Sequence, residues 1–502
     1  MKNKILNPTL ITFLPALVFI PLIYQLILNF HLGGLNLFSD FIISAFNPKF
    51  NYETILIIII RLNQTILIAL SGWIISSIFG IFFGVVSSNI FFRLINIPIL
   101  FKNLIRVFLT IIRSIHELIW CLILMQINGI NMLIGIIAIC IPFSAINAKV
   151  IREQIDNINL KDIESIVQIN GDKLSSLMTL IWNPVIRNFK NYGIYRLECS
   201  LRSSAILGIF GVGGIGTSIF LSFQTLNFRE LWTYLWSFAF LIIIFKKLFD
   251  KSKFNNIDSK FSILIIIFSI IVFFYSTFYF LIFILNINKD NLFSFNEILS
   301  LNLDFYLTDF IISIFETIFL TLLATGITIS LPPILLIIFN NKRIIFFIRI
   351  LAFWLRTIPP PIIILVLLMF NEPSLSLAAL TLGIHNASIT FKLLNENLYQ
   401  TEIKEYHSIK SLGSSNKVSW LYGLFLKQVK SYLSYCVYRS DILIRETAVV
   451  GIIGSIGLGW KLRESLSSFA WNQVSIILIT YSSIAIIGEM INDKIKSNLI
   501  KF

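Results

Sequence analysis

Two stretches restrict this chain more than any other feature. They are LITFLPALVFIPLIYQLIL (10–28) and FSILIIIFSIIVFFYSTFYFLIFIL (261–285), neither with a single charge. Each approaches or passes the roughly 20 residues a helix needs to cross a bilayer. Composition agrees: of 502 residues 56% are hydrophobic and 13% charged, with a mean hydropathy of +0.85. A water-soluble protein of this length needs more charge to cover its surface. The sequence therefore describes an all-α polytopic membrane protein.

Hydropathy predicts about twelve spans. They lie near 8–30, 57–89, 104–127, 130–150, 192–222 and 231–249, then near 262–286, 308–339, 344–370, 374–394, 430–455 and 470–492. The N-terminal MKNK and its apolar block resemble a signal peptide, but the block is too long and no small-residue cleavage site follows. It reads as a retained first span. Lys and Arg cluster at the ends of apolar blocks, so the net charge of +14 reads as a topology signal rather than as nucleic-acid binding. With a cytoplasmic N-terminus, the inner segments hold Arg93, Lys102, Arg106, Lys246, Lys247, Lys342, Arg343 and the tail lysines. The outer segments 31–54 and 287–308 hold one lysine each, while Lys461 and Arg463 run against the rule. Both termini are thus expected in the cytoplasm.

The chain repeats itself. YRLECSLRSSAILGIFGVGGIG starts at Tyr195 and YRSDILIRETAVVGIIGSIGLG at Tyr438, an offset of 243 (438 − 195). RSIHEL at Arg113 and RTIPPP at Arg356 keep the same offset (356 − 113). Two six-span repeats follow, 1–255 and 256–502, parallel because six is even.

GVGGIG (211–216) has the spacing of a dinucleotide fingerprint, yet that motif needs a strand before it. The second copy loses the pattern, because Ile456 replaces Gly213, and Thr217 stands where a phosphate loop needs Lys. What persists is a glycine-rich turn, including Gly211 and Gly214 against Gly454 and Gly457. Such turns at membrane depth serve either a transport path or plain close helix packing. Glu198 and Arg202 are four residues apart on one helix face, and Asp441 and Arg445 repeat them. Charges inside a span either line a pathway, with Arg202 and Arg445 near the pseudo-two-fold axis, or form internal salt bridges that orient helices.

Each half also holds a long polar cytoplasmic segment, 151–190 and 395–430, that reads as helix, Gly (171 or 413), helix. Its recurrence at the same place suggests a docking element. Four cysteines (121, 140, 199, 436) and four histidines (31, 116, 385, 407) show no metal-ligand spacing, and no cofactor motif is present.

Residues 113–216 resemble the permease subunit of phosphonate ABC transporters. The likeness rests on RSIHELIW, on the Gly171-to-Pro184 spacing, and on YRLECSLRSSAILGIFGVGGIG. It implies a type I ABC permease fold, of the methionine-permease kind, here with two copies fused. It implies a cytoplasmic coupling helix set in a groove of the ATPase. Gly171 and Pro184 match that motif, with Glu164 one place early where Ser165 stands. In the second half Gly413 matches and Glu405 supplies an acid, while His407 and Leu426 replace the acid and proline of the pattern. The resemblance implies two copies of a separate ATP-binding subunit, an extracytoplasmic substrate-binding protein, and a small phosphorus oxyanion as cargo. An ion-coupled transporter with Glu198, Asp441, Glu117 or Glu316 as coupling carboxylates, a permease for another solute, and a membrane enzyme are the competing readings.

Overall fold

The computed structural model describes residues 12–95, 98–158, 173–251, 307–339, 341–400 and 404–500. Among them the secondary structure is helical, apart from an isolated bridge between Phe30 and Asn371. In chain order the helices are α1 Phe19–Leu28, α2 Leu35–Ser44, α3 Tyr52–Val86, α4 Asn89–Ile95, α5 Ile99–Ser114, α6 Glu117–Asn128 and α7 Met132–Asp156. Then come α8 Lys173–Ile209, α9 Ile215–Gln224, α10 Phe228–Lys251, α11 Leu307–Ile338, α12 Lys342–Thr357, α13 Pro360–Leu367 and α14 Leu375–Gln400. The last are α15 Lys404–Ser411, α16 Asn416–Trp420, α17 Leu426–Gly454, α18 Gly457–Ser467 and α19 Trp471–Ile500.

Among the described residues six helices are long and apolar enough to span a membrane, or up to nine if each bent pair is one span. The chain is therefore a multi-pass membrane protein. The expected span 262–286 lies outside the described residues.

Three expected spans are not continuous: 192–222 is interrupted at 210–214, between α8 and α9, and two others are sharply bent. The 104–127 stretch breaks at Ile115–His116, where α5 and α6 meet at 85°. The 344–370 stretch breaks at Ile358–Pro359, where α12 and α13 meet at 105°. The second break has an evident cause: Pro359, Pro360 and Pro361 lack amide hydrogens, so α12 cannot run on, and proline suits the first turn of α13. In the first, the ring nitrogen Nδ1 of His116 accepts the Leu118 amide and caps α6 (3.1 Å). The two corners are equivalent at the 243 offset (357 − 114, 360 − 117). A further break separates α17 from α18, bent by 60° at the glycine turn.

Two compact units emerge from the contacts. One comprises 43–294. In it α3 lies along α7, with Ser76, Gly80 and Gly84 spaced by four on the contact face. A Cβ on Gly84 would come within 2.8 Å of Ile151, and one on Gly80 would overlap Asn147. Small residues let these backbones approach closely where lipid supplies no hydrophobic drive. The segment before α3 is tied to α10 by Lys49 and Glu230 (2.7 Å) and by Arg229 Nε donating to the Asn47 carbonyl (3.0 Å).

The other unit comprises 1–42 and 295–502. Here α1, from the start of the chain, packs on α14, and the preceding turn Leu14–Val18 packs on α11. Ser376 Oγ donates to Gln25 Oε1 (2.9 Å), and Asn371 Nδ2 donates to the Leu26 carbonyl (3.0 Å). Leu22 is fully buried there. Contact units and sequence repeats thus divide the chain differently, since residues 1–42 group with helices of the second repeat.

Candidate functional site

The glycine turns after α8 and after α17, one in each unit, are built the same way. Gly214 adopts φ +88° and Gly457 φ +62°, a region that favours glycine. A Cβ on Gly214 would sit 2.7 Å from Thr65 Oγ1, and one on Gly457 2.6 Å from Thr317 Oγ1. Those hydroxyls have work to do. The Ile215 amide donates to Thr65 Oγ1 (2.8 Å), and the Leu458 amide to Thr317 Oγ1 (3.0 Å). The Gly214 amide donates to Gln64 Oε1 (3.1 Å), and the Gly457 amide to Glu316 Oε2 (2.9 Å). The start of each following helix is thus capped by side chains of α3 or α11, which satisfy amides a helix N-terminus leaves open. These cap residues obey an offset of 252 (317 − 65, 316 − 64), not 243, so sequence comparison at fixed offset misses them. Gly211 (φ +104°) opens the turn in the first unit. Gly454 ends α17, where a Cβ would meet Ile364 at 2.8 Å. The turn lies between helices rather than after a strand, which removes the dinucleotide reading.

Glu198 and Arg202 pair on α8, and Asp441 and Arg445 pair on α17. Both pairs are partly buried, at 24% and 17% side-chain exposure in the first and 16% and 12% in the second. Each acid and base close on their own helix. Two further carboxylate networks are partly buried; the sequence singles out Glu117 alone among their members. Ser203 Oγ donates to Glu117 Oε1 (2.6 Å) beside His116. Asn386 Nδ2 donates to Glu446 Oε2 (2.7 Å), and Arg439 donates to Asn386 Oδ1 while its guanidinium lies 3.7 Å from Glu446.

Of the coupling residues, Glu164 and Gly171 lie outside the described residues. Pro184 falls within α8. In the second half the segment is α15, Gly413, α16 and then α17. Gly413 has φ +84° with open space around it, so its role is the backbone turn. Ser415 caps α16 by accepting the Val418 amide. Glu405 pairs with Lys427 (2.7 Å), which holds α15 against the start of α17. The element presents Leu412 (85% exposed), Tyr422 and Val418 to the outside. Among the described residues no three His, Cys, Asp or Glu are placed to hold a metal.

Bent helices and glycine turns recur in both units of this multi-pass membrane protein, and similarity to known proteins bears on the class. A phosphate-import permease protein of Mycolicibacterium smegmatis is 20% identical over 420 residues, covering 79% of this chain and 77% of that protein. That length exceeds a single repeat, so the likeness runs through both. A phosphite transport system permease protein of Stutzerimonas stutzeri is 27% identical over 134 residues, 27% of this chain and 48% of its own. A cryptic phosphonate transport system permease protein of Escherichia coli is 25% identical over 121 residues, 24% of this chain and 99% of that one. The chain thus spans about half the length of the phosphite relative. The chain resembles phosphonate and phosphite transport permeases. No family model matches it, and no solved structure does.

Proposed function

We propose that this chain is the membrane-spanning permease subunit of an ATP-driven ABC importer that carries phosphonate or a related small phosphorus oxyanion. The observation that carries the reading is the 420-residue likeness to a phosphate-import permease, joined by likenesses to permeases named for phosphite and phosphonate. The chain sits in the bacterial cytoplasmic membrane with both termini inside. Its repeats, 1–255 and 256–502, form the two halves of one channel. Lipid covers the apolar outer faces, where Ile59, Phe82, Phe347 and Leu351 are each more than half exposed.

The chain itself performs no chemistry. Two copies of a separate ATP-binding subunit dock on the coupling elements, one around Glu164, Gly171 and Pro184, the other around Glu405 and Gly413. Exposed Leu412 and Tyr422 give the second element an apolar surface to bury on docking. A separate extracytoplasmic protein delivers the anion. ATPase closure then shifts the halves between two states. The rigid parts are the capped glycine turns, with Gly211, Gly214, Gly454 and Gly457. The charged parts along the path are Glu198, Arg202, Asp441 and Arg445.

The ion-coupled alternative needs carboxylates free to bind and release an ion. Glu316 accepts the Gly457 amide, Glu117 accepts Ser203, and Glu198 and Asp441 pair with arginines of their own helices. All four have structural partners, which favours the ATP-driven reading.

A pull-down of the detergent-solubilised chain from its native membrane tests the proposal. The expected result is an active ATPase at two copies per chain, followed by uptake of phosphonate, phosphite or phosphate. Absence of any ATPase refutes the importer and directs attention to ion-gradient flux.

A further inference from the structure

We infer that Arg196 and Arg439 are positioning residues for transport, each balanced by one partly buried carboxylate that the two halves take from different places in the chain. Four residue pairs at the 243 offset carry the argument: 196 and 439, 143 and 386, 203 and 446, 117 and 360. Both arginines are buried, at 6% and 5% exposure. Arg196 lies 3.9 Å from the centre of the Phe143 ring, and Arg439 donates to Asn386, the equivalent position. The contact is kept while its chemistry changes.

The carboxylate moves. In the first half it is Glu117, in the first turn of α6, reached by the Ser203 hydroxyl, with the His116 ring beside it and the charge of Arg196 a weaker influence. In the second half Pro360 stands at the place of Glu117, and Glu446 stands at the place of Ser203. Each half has one carboxylate at these two places, never both and never neither. A buried guanidinium without an acid is costly, so a chain that loses the acid at one site must supply it at the other.

The relocation changes what is fastened. In the first half the acid belongs to the bent corner, so the network ties the α5–α6 corner to α8. In the second half it belongs to α17 and ties that helix to α14 through Asn386. Pro359, Pro360 and Pro361 bring no side-chain polar group to the α12–α13 corner. The first corner is therefore held to α8 by a polar contact, whereas the second packs on α14 and α17 through buried, apolar Ile364. The mechanical role rests on the importer reading.

Four variants test it: Glu117→Gln and Glu117→Gln/Ser203→Glu, then Glu446→Gln and Glu446→Gln/Pro360→Glu. The thermal midpoint in detergent reads the pairing whatever solute is carried. Uptake per folded chain, measured well below that midpoint, reads positioning. Single variants should lower the midpoint by roughly 6–20 °C and uptake per chain by about tenfold. The double variants, with the acid moved to the other half's site, should recover at least half of each loss. Double variants no better than the singles overturn the inference, as does uptake per chain unchanged in the singles. If Glu117→Gln does not accumulate, the second pair decides by the same criteria. A wild-type chain that takes up no phosphorus oxyanion refutes the proposed function, and the midpoints still report the carboxylate.

Discussion

Replacing Gly214 with Ala strikes the turn at its tightest point. The residue sits at φ +88° and ψ −170°, where an L side chain is strained by about 1–3 kcal/mol. The added Cβ would also lie 2.7 Å from Thr65 Oγ1, and forcing a carbon into a filled site costs about 1–3 kcal/mol more. Together these give about 2–6 kcal/mol. At about 2–4 °C per kcal/mol for a unit of this size, the midpoint should fall by roughly 4–24 °C. Thr65→Ala alone removes the acceptor for the Ile215 amide and costs about 1–3 kcal/mol. In the double variant the steric part disappears, so the two losses should sum to less than their separate values. Scanning fluorimetry of the purified chain measures all three. A Gly214→Ala midpoint within 1 °C of wild type would refute the reasoning about the turn.

Other outcomes follow from the same geometry. Thr317→Val should destabilise by about 1–3 kcal/mol, because the buried Leu458 amide loses its acceptor, and an unchanged denaturation midpoint counts against the cap. If the pair only orients its helix, Arg202→Ala should impair transport more than Glu198→Ala/Arg202→Ala, since the single change takes from Glu198 the guanidinium it pairs with; uptake assays on both decide. Gly171→Asp should uncouple ATP hydrolysis from uptake while the chain remains in the membrane, and normal uptake would remove that residue from the coupling element. Glu405→Gln should change stability by less than about 1 kcal/mol, because its partner Lys427 is surface-exposed; a larger shift in the melting curve would contradict this.

The sequence revealed the long helices, the internal repeat and the glycine turn, since each writes a local signal: apolar length, self-similarity, or clustered glycines at positions with φ above zero. It concealed the corners. PPP at 359–361 is a legible helix stop, but it was overridden by the apolar run on both sides. Ile115–His116 gives no such sign, because its break is held by a histidine cap and a buried carboxylate from its neighbours. The caps at Thr65 and Thr317 were hidden by a nine-residue slip between repeats (252 against 243). Side-chain pairing likewise escaped: Glu117 and Ser203 are 86 residues apart, and only the fold brings them together.

The placement of α1 has a consequence for how this protein is made. Gln25 and Ser376 are 351 residues apart in the chain yet hydrogen-bonded in the structure. At about 5–20 residues per second, a ribosome needs roughly 20–70 s to supply the second after the first. Through that interval the side-chain amide oxygen of Gln25 is without its final hydrogen-bond donor, a costly state wherever water is excluded. A helix made later therefore completes one made much earlier. A message truncated before residue 371 leaves α1 with its packing on α11 but without its polar partners on the later segment.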